Sequence, residues 1–360
     1  MSSKKSLIIN GAIFILLIAM TFYIVFVKND MGDVGAALAG VNMWYILAAI
    51  GCAFAFIVGE GINIGRALKV LGEDTNYRKS FKYALIGFFF SSVTPSASGG
   101  QPMQLYYMKK DNLSLSHSGL ALLAEVGSYQ IVNISLALIA FIYSFDFVMS
   151  QGVGIKILIA LGAGLNILAL VAILLALFSP PVSMKLVGWI VKLLKKIKIK
   201  KADKLEIKAE QFIEKYQAGA QFIKQNTKVI WKMLITTTLQ MIAFHSVPFM
   251  VYKSFGLDTY SYVTILALQA VLYIASSSIP LPGAVGVSEG GFMVLFRTLF
   301  PAGVLGSAMI LSRGISFYLF VLMSGIAVII TQIIIIRREH RGRLAARAKT
   351  QAAGRPCRQD

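Results

Sequence analysis

Residues 81–108 read FKYALIGFFFSSVTPSASGGQPMQLYYM, in which two short apolar segments flank a break rich in Ser, Pro and Gly. Each apolar segment is too short to cross about 30 Å of hydrocarbon, for which a helix needs about 20 residues. Bases lie on both sides of the stretch, namely Arg78, Lys79, Lys82, Lys109 and Lys110. Because bases near span ends stay on the cytoplasmic side, the pattern predicts a re-entrant hairpin that enters and leaves from that side.

A second stretch, residues 262–300, is interrupted in the same way, and its break reads SSSIPLPGAVGVSEGG over residues 276–291. It lies between a base-poor loop and a span that must begin outside, which predicts a hairpin entering from the opposite face. The two breaks are similar, with Pro95 matching Pro280. We therefore predict an inverted repeat of about residues 43–144 and 233–336, a plan found in membrane carriers. Two ordinary spanning helices kinked at proline are the alternative.

The composition is that of a membrane protein. Of the 360 residues, 57% are hydrophobic and 14% are charged, and the mean hydropathy is +0.72. These values exclude an ordinary soluble domain. The net charge of +19 comes from bases between and beyond the apolar runs, so we expect no nucleic-acid partner. Cys52 and Cys357 are the two cysteines, which are too few for a disulfide framework or a metal cluster.

Six runs are long and apolar enough to span a membrane. They are residues 7–27, 43–68, 116–144, 155–178, 233–251 and 303–336. The first follows Lys4 and Lys5 and resembles a signal peptide with a small-residue cleavage site at residues 37–39. Its apolar core is long and that site lies far beyond it, which favours an uncleaved span.

The distribution of bases predicts the orientation. Lys and Arg gather before the first span, after the second, over residues 185–232 and after residue 336, whereas loops 28–42, 145–154 and 252–261 contain only Lys28 and Lys253. Both termini should therefore be cytoplasmic, in a bacterial-type plasma (inner) membrane.

The fold class follows: an all-α polytopic membrane protein with about six spans and two oppositely oriented re-entrant hairpins. Residues 1–336 form one membrane domain. Within it, residues 181–230 alternate apolar and basic side chains, which predicts an amphipathic cytoplasmic connector. The basic tail, residues 337–360, is expected to be disordered.

The motifs at the two breaks resemble those of a known family. They are TPSASGGQP at residues 94–102 and PLPGAVGVSEGG at residues 280–291. Together with the span layout, they are similar to the transmembrane, flippase-like region of the lysylphosphatidylglycerol synthases, the multiple peptide resistance factor family. The resemblance covers about residues 8–336. It implies movement of a phospholipid, such as lysyl-phosphatidylglycerol, between leaflets and a contribution to cationic peptide resistance.

The chain departs from that family in two ways. Many relatives carry a base shortly after the first motif, where this chain has Gln104. Full-length members continue into a cytosolic domain that transfers lysine from aminoacyl-tRNA to phosphatidylglycerol, whereas a short basic tail follows residue 336 here. We therefore expect the membrane half alone, and lysyltransferase activity would require a separate cytosolic transferase as a partner.

Ionisable side chains inside apolar spans are candidate site residues, because they are costly there unless paired or hydrated. The candidates are Glu60, Glu125, Glu289, Arg297 and Arg313, together with Gln104 after the first motif. In a carrier, the carboxylates would hold a cationic headgroup or a coupling proton. A salt bridge from Glu60 to Arg66, on a neighbouring turn, is the alternative for that carboxylate.

The breaks themselves are candidates too, at Pro95, Gly99, Gly100, Pro102, Pro280, Pro282, Gly283 and Gly286. Each helix that restarts after Gly100 or Gly286 presents free N–H groups at its N-terminus, which suit a lipid phosphate. Close helix packing is the alternative role of these small residues.

No cofactor or metal is expected. His117 and His245 each lack a second ligand at helical spacing, and the chain has no Ser-His-Asp set, P-loop or dinucleotide fingerprint. We expect membrane phospholipids to be the partners and the chain itself not to be an enzyme. Two rival functions are a phosphatidylglycerol lysyltransferase or its membrane subunit, and an ion-coupled carrier of small solutes.

Overall fold

The structure, a computed structural model, describes residues 39–178, 221, 225–277 and 279–353. In this part of the chain every regular element is a helix. The predicted first span, residues 7–27, lies outside the described residues, as does most of the predicted connector at residues 181–230.

Twelve α-helices follow one another in the described chain. They are α1 (Met43–Val70), α2 (Tyr77–Val93), α3 (Gly100–Lys110), α4 (Leu115–Tyr143), α5 (Phe145–Ser150), α6 (Val153–Phe178), α7 (Thr227–His245), α8 (Val247–Ser254), α9 (Tyr262–Ser277), α10 (Val287–Leu295), α11 (Ala302–Arg313) and α12 (Leu319–Ala353). Short 3₁₀ turns at Pro95–Ala97 and Pro282–Ala284 form the two breaks, and a π-helical turn at Gly314–Tyr318 joins α11 to α12.

Five helical stretches of the described chain are long and apolar enough to cross a membrane. They are Met43–Val70, Leu115–Tyr143, Val153–Leu175, Thr227–Ser254 and Ala302–Arg338. They coincide with five of the six predicted runs, and the all-helical polytopic membrane fold is confirmed. The fourth is divided at Ser246, just before Pro248, which cannot donate a backbone hydrogen bond. The last helix continues past residue 336 to Ala353, where the sequence predicted a disordered tail.

The two interrupted stretches contain the short helices. α2 has 17 residues and α9 has 16, which gives lengths of roughly 26 and 24 Å at about 1.5 Å per residue. Both are shorter than the hydrocarbon layer, and α3 and α10 are shorter still. The two 3₁₀ turns contact each other, so the two breaks meet in the fold. The direction in which each hairpin enters the membrane stays a prediction.

Glycines allow α1 to approach its neighbours closely. A Cβ on Gly61 would lie 3.0 Å from the Cα of Phe81 on α2, and one on Gly59 would lie 2.3 Å from the Oε1 of Gln240 on α7. On the same helix, the amide of Asn63 donates to the Thr237 hydroxyl at 2.9 Å. Small residues let helix backbones approach closely in membranes, where van der Waals contact replaces the hydrophobic driving force.

The two halves of the described chain exchange helices. α12, from the second half, packs against α2 of the first hairpin, and α4, from the first half, packs against α9 of the second hairpin. α1 and α7, the first long helix of each half, pack against each other. This reciprocal pattern is what a two-fold relation requires, although the inverted repeat itself stays a prediction.

The outer faces of the long helices are apolar. Large side chains such as Leu138, Ile142, Leu168 and Ile329 are each more than half exposed. Such a contiguous apolar surface marks contact with lipid rather than with water. Inside, the core is formed by all of the long helices together, so the described part of the membrane domain shares one interior.

Candidate functional site: a cavity at the two helix breaks

A cavity of about 960 Å³ lies where the two breaks meet. Its wall is formed by residues of every described helix except α5 and α12, by both 3₁₀ turns and by the π-helical turn. From the breaks it extends along the first half of α4, where Gly119, Leu122 and Leu123 line it, to the second half of α6. Non-helical backbone at membrane depth is tolerated where it lines such a cavity.

The first break is held by its own threonine. Thr94 donates a hydrogen bond to the Phe90 carbonyl at 2.6 Å, and its hydroxyl accepts one from the Gly99 N–H at 2.8 Å. Between them, Ser96 and Ala97 adopt φ of 51° and 54°, the left-handed region that residues with a Cβ avoid. The strained turn exposes both residues to the cavity.

The second break repeats this backbone. Gly283 and Ala284 have φ of 60° and 51°, directly after Pro282. The structural equivalent of Pro95 is therefore Pro282, two residues further on than the match with Pro280 that the sequence suggested. A side chain at Gly283 has no room, since a Cβ there would lie 2.1 Å from the Phe317 ring.

Glu289 and Arg313 form an ion pair that closes the second break. The Arg313 Nε donates to the Glu289 Oε1 at 2.8 Å, and an Nη donates to the Gly283 carbonyl at 3.0 Å. The other carboxylate oxygen accepts the Gly286 N–H at 2.7 Å, so Glu289 caps the N-terminus of α10. The Tyr318 hydroxyl also donates to Glu289, at 3.2 Å. This helix end is thus already neutralised by a carboxylate of its own chain.

Two further carboxylates face the cavity without a basic partner. Glu60 accepts a hydrogen bond from the Gln104 amide at 3.1 Å, and Glu125 is 7% exposed. Both line the cavity and lie within electrostatic range of each other. Among the described residues neither carboxylate forms an ion pair. The described part of the site therefore brings two carboxyl groups close together without a base beside them.

The predicted salt bridge from Glu60 to Arg66 is replaced by other contacts. The Arg66 guanidinium donates to the Asn63 side chain at 2.9 Å, to the Lys232 carbonyl at 2.7 Å and to Thr236 at 3.0 Å. It thus holds α1 against the beginning of α7. Because backbone and hydroxyl oxygens satisfy Arg66, the Glu60 carboxylate is left to Gln104 and the cavity.

Known proteins are similar to this chain over most of its length. Residues 7–324 match the family described as "Lysylphosphatidylglycerol synthase TM region". The chain belongs to this family. A protein of Methanothermobacter thermautotrophicus named "UPF0104 membrane protein" is 25% identical over 333 residues, which cover 89% of this chain and 95% of the relative. A protein of the same name from Archaeoglobus fulgidus is 25% identical over 267 residues, covering 72% of this chain and 80% of the relative.

The region shared with the lysylphosphatidylglycerol synthase family contains both breaks and every residue that lines the cavity. This confirms the family resemblance drawn from the two motifs. A multi-pass membrane protein with a lipid-related role is consistent with the family, its five described spans and its lipid-facing exterior.

Five of the six predicted polar residues lie at the cavity or next to it, and the sixth does not. Glu60, Gln104, Glu125 and Arg313 line the cavity, and Glu289 lies directly behind Arg313. Arg297 is exposed in the turn between α10 and α11 and does not line it. Of the predicted break residues, Pro102 and Gly283 line the cavity, whereas the others shape the turns around it.

Several polar side chains of the cavity were missed in the sequence. They are Tyr129, Gln130, Asn166, Gln240, Gln269 and Tyr273. The hydroxyls of Tyr129 and Tyr273 are hydrogen-bonded to each other across the interface of α4 and α9. A usable signal existed on α4, since Glu125 and Tyr129 are four residues apart and share a helix face.

Proposed function

We propose that this protein moves a phospholipid with a cationic or zwitterionic headgroup, such as lysyl-phosphatidylglycerol, between the two leaflets of a plasma membrane. The observation that carries the proposal is the pair of carboxylates, Glu60 and Glu125, which face a membrane-depth cavity without a basic partner among the described residues. A buried uncompensated carboxylate is costly, and an amine bound beside it would offset that cost.

The size of the cavity supports a lipid headgroup. Sites for ligands of drug size are about 300–1,000 Å³, and this cavity, at about 960 Å³, is at the upper end of that range. Besides Glu60 and Glu125, its wall carries amide and hydroxyl groups, such as Gln104 and Tyr129, that can donate hydrogen bonds to a phosphate. A headgroup carrying both a phosphate and an amine would therefore find partners for both groups.

The wall formed by α6 supports lateral access from the bilayer. Leu165 and Ile173 line the cavity, while Leu161 and Leu168 on the same helix are more than half exposed. Of the five described spans, α6 is the least buried inside the molecule. A helix with so few internal contacts is the element that can move most readily. We propose that lipid passes beside it.

The proposed orientation has both termini and the connector in the cytoplasm, as the bases predict. In this orientation the amine-bearing lipid reaches the cavity from the leaflet in which it is made. Its transfer outward would reduce the negative charge of the outer surface and hence the binding of cationic peptides. A separate cytosolic transferase would supply the aminoacylated lipid.

A leaflet-resolved assay tests this function. Purified protein in vesicles should move labelled phosphatidylethanolamine and lysyl-phosphatidylglycerol faster than phosphatidylglycerol, which lacks an amine. Glu60→Gln and Glu125→Gln should each slow the amine lipids at least about tenfold, the effect of about 1.4 kcal/mol. Asp146→Asn, an exposed carboxylate on α5, is the matched control and should transport at the parent rate.

Three outcomes contradict the proposal. Equal rates for amine lipids and phosphatidylglycerol would show that the carboxylates do not select the headgroup. Ion-driven uptake of a small solute without lipid movement would favour a solute carrier. Formation of aminoacylated lipid from charged tRNA by the purified chain would establish a transferase.

A further inference from the structure

A layer of buried polar side chains continues inward from the cavity, between α4 and α7. Asn133 is 1% exposed and His245 is 0% exposed, and neither lines the cavity. Gln130 and Gln240, which are 9% and 2% exposed, lie on the cavity wall beside them. The lipid transport proposed above does not require Asn133 or His245.

These side chains lack hydrogen-bond partners within the described part of the chain. The unpartnered buried atoms are the Gln130 Oε1, both amide atoms of Asn133 and of Gln240, and both ring nitrogens of His245. Leaving such a group unsatisfied costs about 1–3 kcal/mol. Buried polar groups in native proteins are nearly always partnered, so something else must bind them.

The number of these atoms distinguishes a single trapped water from a chain of waters. One buried water makes about three hydrogen bonds, which is fewer than the seven unpartnered atoms of Gln130, Asn133, Gln240 and His245. Several waters are therefore needed. A metal ion is a poor alternative, because the described residues contain no group of three His, Cys, Asp or Glu side chains that could hold one.

The layer is connected to the cavity carboxylates through a pair of tyrosines. Glu125, Tyr129 and Asn133 follow one another at four-residue spacing and so share a face of α4. The Tyr129 hydroxyl is hydrogen-bonded to that of Tyr273, and the Tyr273 ring centroid lies 5.4 Å from that of His245. The polar groups thus follow one another from the carboxylates to His245.

The predicted topology gives this polar layer a direction. The cavity extends toward the beginning of α4, on the predicted cytoplasmic side. Asn133 lies further along α4, and His245 lies in the predicted outer half of its span, nine residues before Ser254. Next to it, the hydroxyl of Ser246 is hydrogen-bonded at 2.7 Å to that of Tyr262, which is exposed at the predicted outer end of α9. The layer therefore lies in the predicted outer half of the membrane domain.

We propose that this layer is a hydrated proton route that connects the outer face with Glu125 and Glu60. The titratable and charged groups around it are Tyr129 and Glu125 on α4, Tyr273 on α9, Glu60 on α1 and Arg313 on α11. A proton from outside water binds the His245 ring, passes along the waters to a cavity carboxylate, and leaves to the water of the cavity. The net result is one proton moved inward with no residue changed.

In a lipid carrier, such a route would couple headgroup movement to the proton gradient, and this coupling rests on the proposed function. Protonation of Glu125 would remove the charge that holds the amine, and deprotonation would restore it. Proton conduction itself does not depend on which substrate is carried.

Proton flux tests the route directly. Purified protein is placed in vesicles of phosphatidylethanolamine and phosphatidylglycerol that contain a pH-sensitive dye, and a potassium diffusion potential drives protons inward. The parent should acidify the interior faster than empty vesicles. His245→Gln and Asn133→Leu should each slow it at least about tenfold, because a positioned proton-transfer group contributes on the order of a hundredfold or more. His117→Gln should conduct at the parent rate, since that histidine bonds Glu73 away from the layer.

A second measurement covers variants that fail to fold. Radiolytic hydroxyl-radical labelling of the parent should oxidise Tyr129 and Tyr273 as side chains in contact with internal water. Protection of both tyrosines, parental flux in folded His245→Gln, or no flux above empty vesicles would each overturn the proton route. Lipid movement that is unchanged by the pH gradient and by His245→Gln overturns the coupling to lipid movement while leaving the proposed function intact. His245-dependent proton flux without lipid movement supports the route and rejects the lipid function.

Discussion

Glu289 and Arg313 have a different role from the other ionisable residues of the site. Their side chains are 8% and 15% exposed, and together they bond the Gly283 carbonyl and the Gly286 N–H of the second break. When one partner of a buried ion pair is removed, the other is left as a stranded charge, which costs more than the pair contributed. We therefore assign the pair to holding the break in shape.

Glu289→Gln should lower the stability of the protein, by about 3–5 kcal/mol if the pair is fully desolvated. The double variant Glu289→Gln with Arg313→Met should recover most of that loss, because it removes the stranded guanidinium. Thermal unfolding in detergent measures both effects. Normal stability of Glu289→Gln, together with lost lipid movement, would instead place Glu289 among the headgroup ligands.

At the scale of elements, the close approach of α1 to α2 determines where the cavity lies. Gly61 contacts the backbone of Phe81, and Glu60 beside it faces Gln104. A Cβ at Gly61 has only backbone in its way, which cannot move aside as a flexible side chain can. Gly61 thus determines the distance between α1 and the first hairpin.

Gly61→Ala should destabilise the protein by about 1–3 kcal/mol, because it forces the two helices apart. Gly51→Ala is the matched control on the same helix, where a Cβ would meet nothing within 4 Å. Alanine at position 51 should leave the stability of the protein unchanged or raise it by up to about 1 kcal/mol, which is the difference in helix propensity between glycine and alanine. Thermal unfolding compares the two variants, and equal melting temperatures would contradict the packing argument.

The base of the first hairpin is joined to the last helix through Asp111. This carboxylate pairs with Lys82, accepts the Tyr83 hydroxyl at 2.7 Å and lies 3.8 Å from the Arg338 guanidinium. Burial alone would raise the pKa of Asp111. The hydrogen bonds from Lys82 and Tyr83 and the charges of Lys82 and Arg338 outweigh it, so the pKa is lower than usual.

The lowered pKa of Asp111 determines how the stability of the protein changes with pH. Asp111 contributes stability that is fully present above its unfolded pKa, about 3.9, and is lost as the pH falls through the lower folded pKa. Asp111→Asn should therefore unfold at a lower temperature than the parent at pH 7, and the gap should close in strong acid. A gap that stays constant from pH 7 to pH 2 would show that the charge of Asp111 does not matter.

At the scale of the whole molecule, the two hairpins meet through their 3₁₀ turns, and each packs against a long helix of the other half. If the hairpins enter from opposite faces, the two ends of each one must lie on the same side of the membrane. This requirement turns the predicted topology into a test of the inverted repeat.

Single cysteines should label accordingly, in a background without Cys52 and Cys357. Lys79→Cys and Lys109→Cys, at the two ends of the first hairpin, should react only from the cytoplasmic side. Ser261→Cys and Thr298→Cys, at the ends of the second, should react only from outside, as should Ser150→Cys at the end of α5. Labelling of Lys79→Cys and Lys109→Cys from opposite sides would make that hairpin an ordinary span.

The sequence alone predicted the five described spans, the two breaks and the family, because these depend on local features. An apolar run of about 20 residues spans a bilayer in almost any context, and Pro and Gly interrupt helices wherever they cluster. The sequence also identified Glu60 and Glu125 as candidates, since a carboxylate in an apolar run is conspicuous by itself.

Only the tertiary structure decided which polar groups meet. The pairing of Glu60 with Gln104, of Tyr129 with Tyr273, and of Arg66 with oxygens of α7 joins residues from 44 to 170 positions apart. The two-residue shift that aligns Pro95 with Pro282 required the backbone angles of both turns. The physical reason is that a buried charge or amide takes whichever partner the packing brings within hydrogen-bond distance, and helix periodicity does not specify that partner.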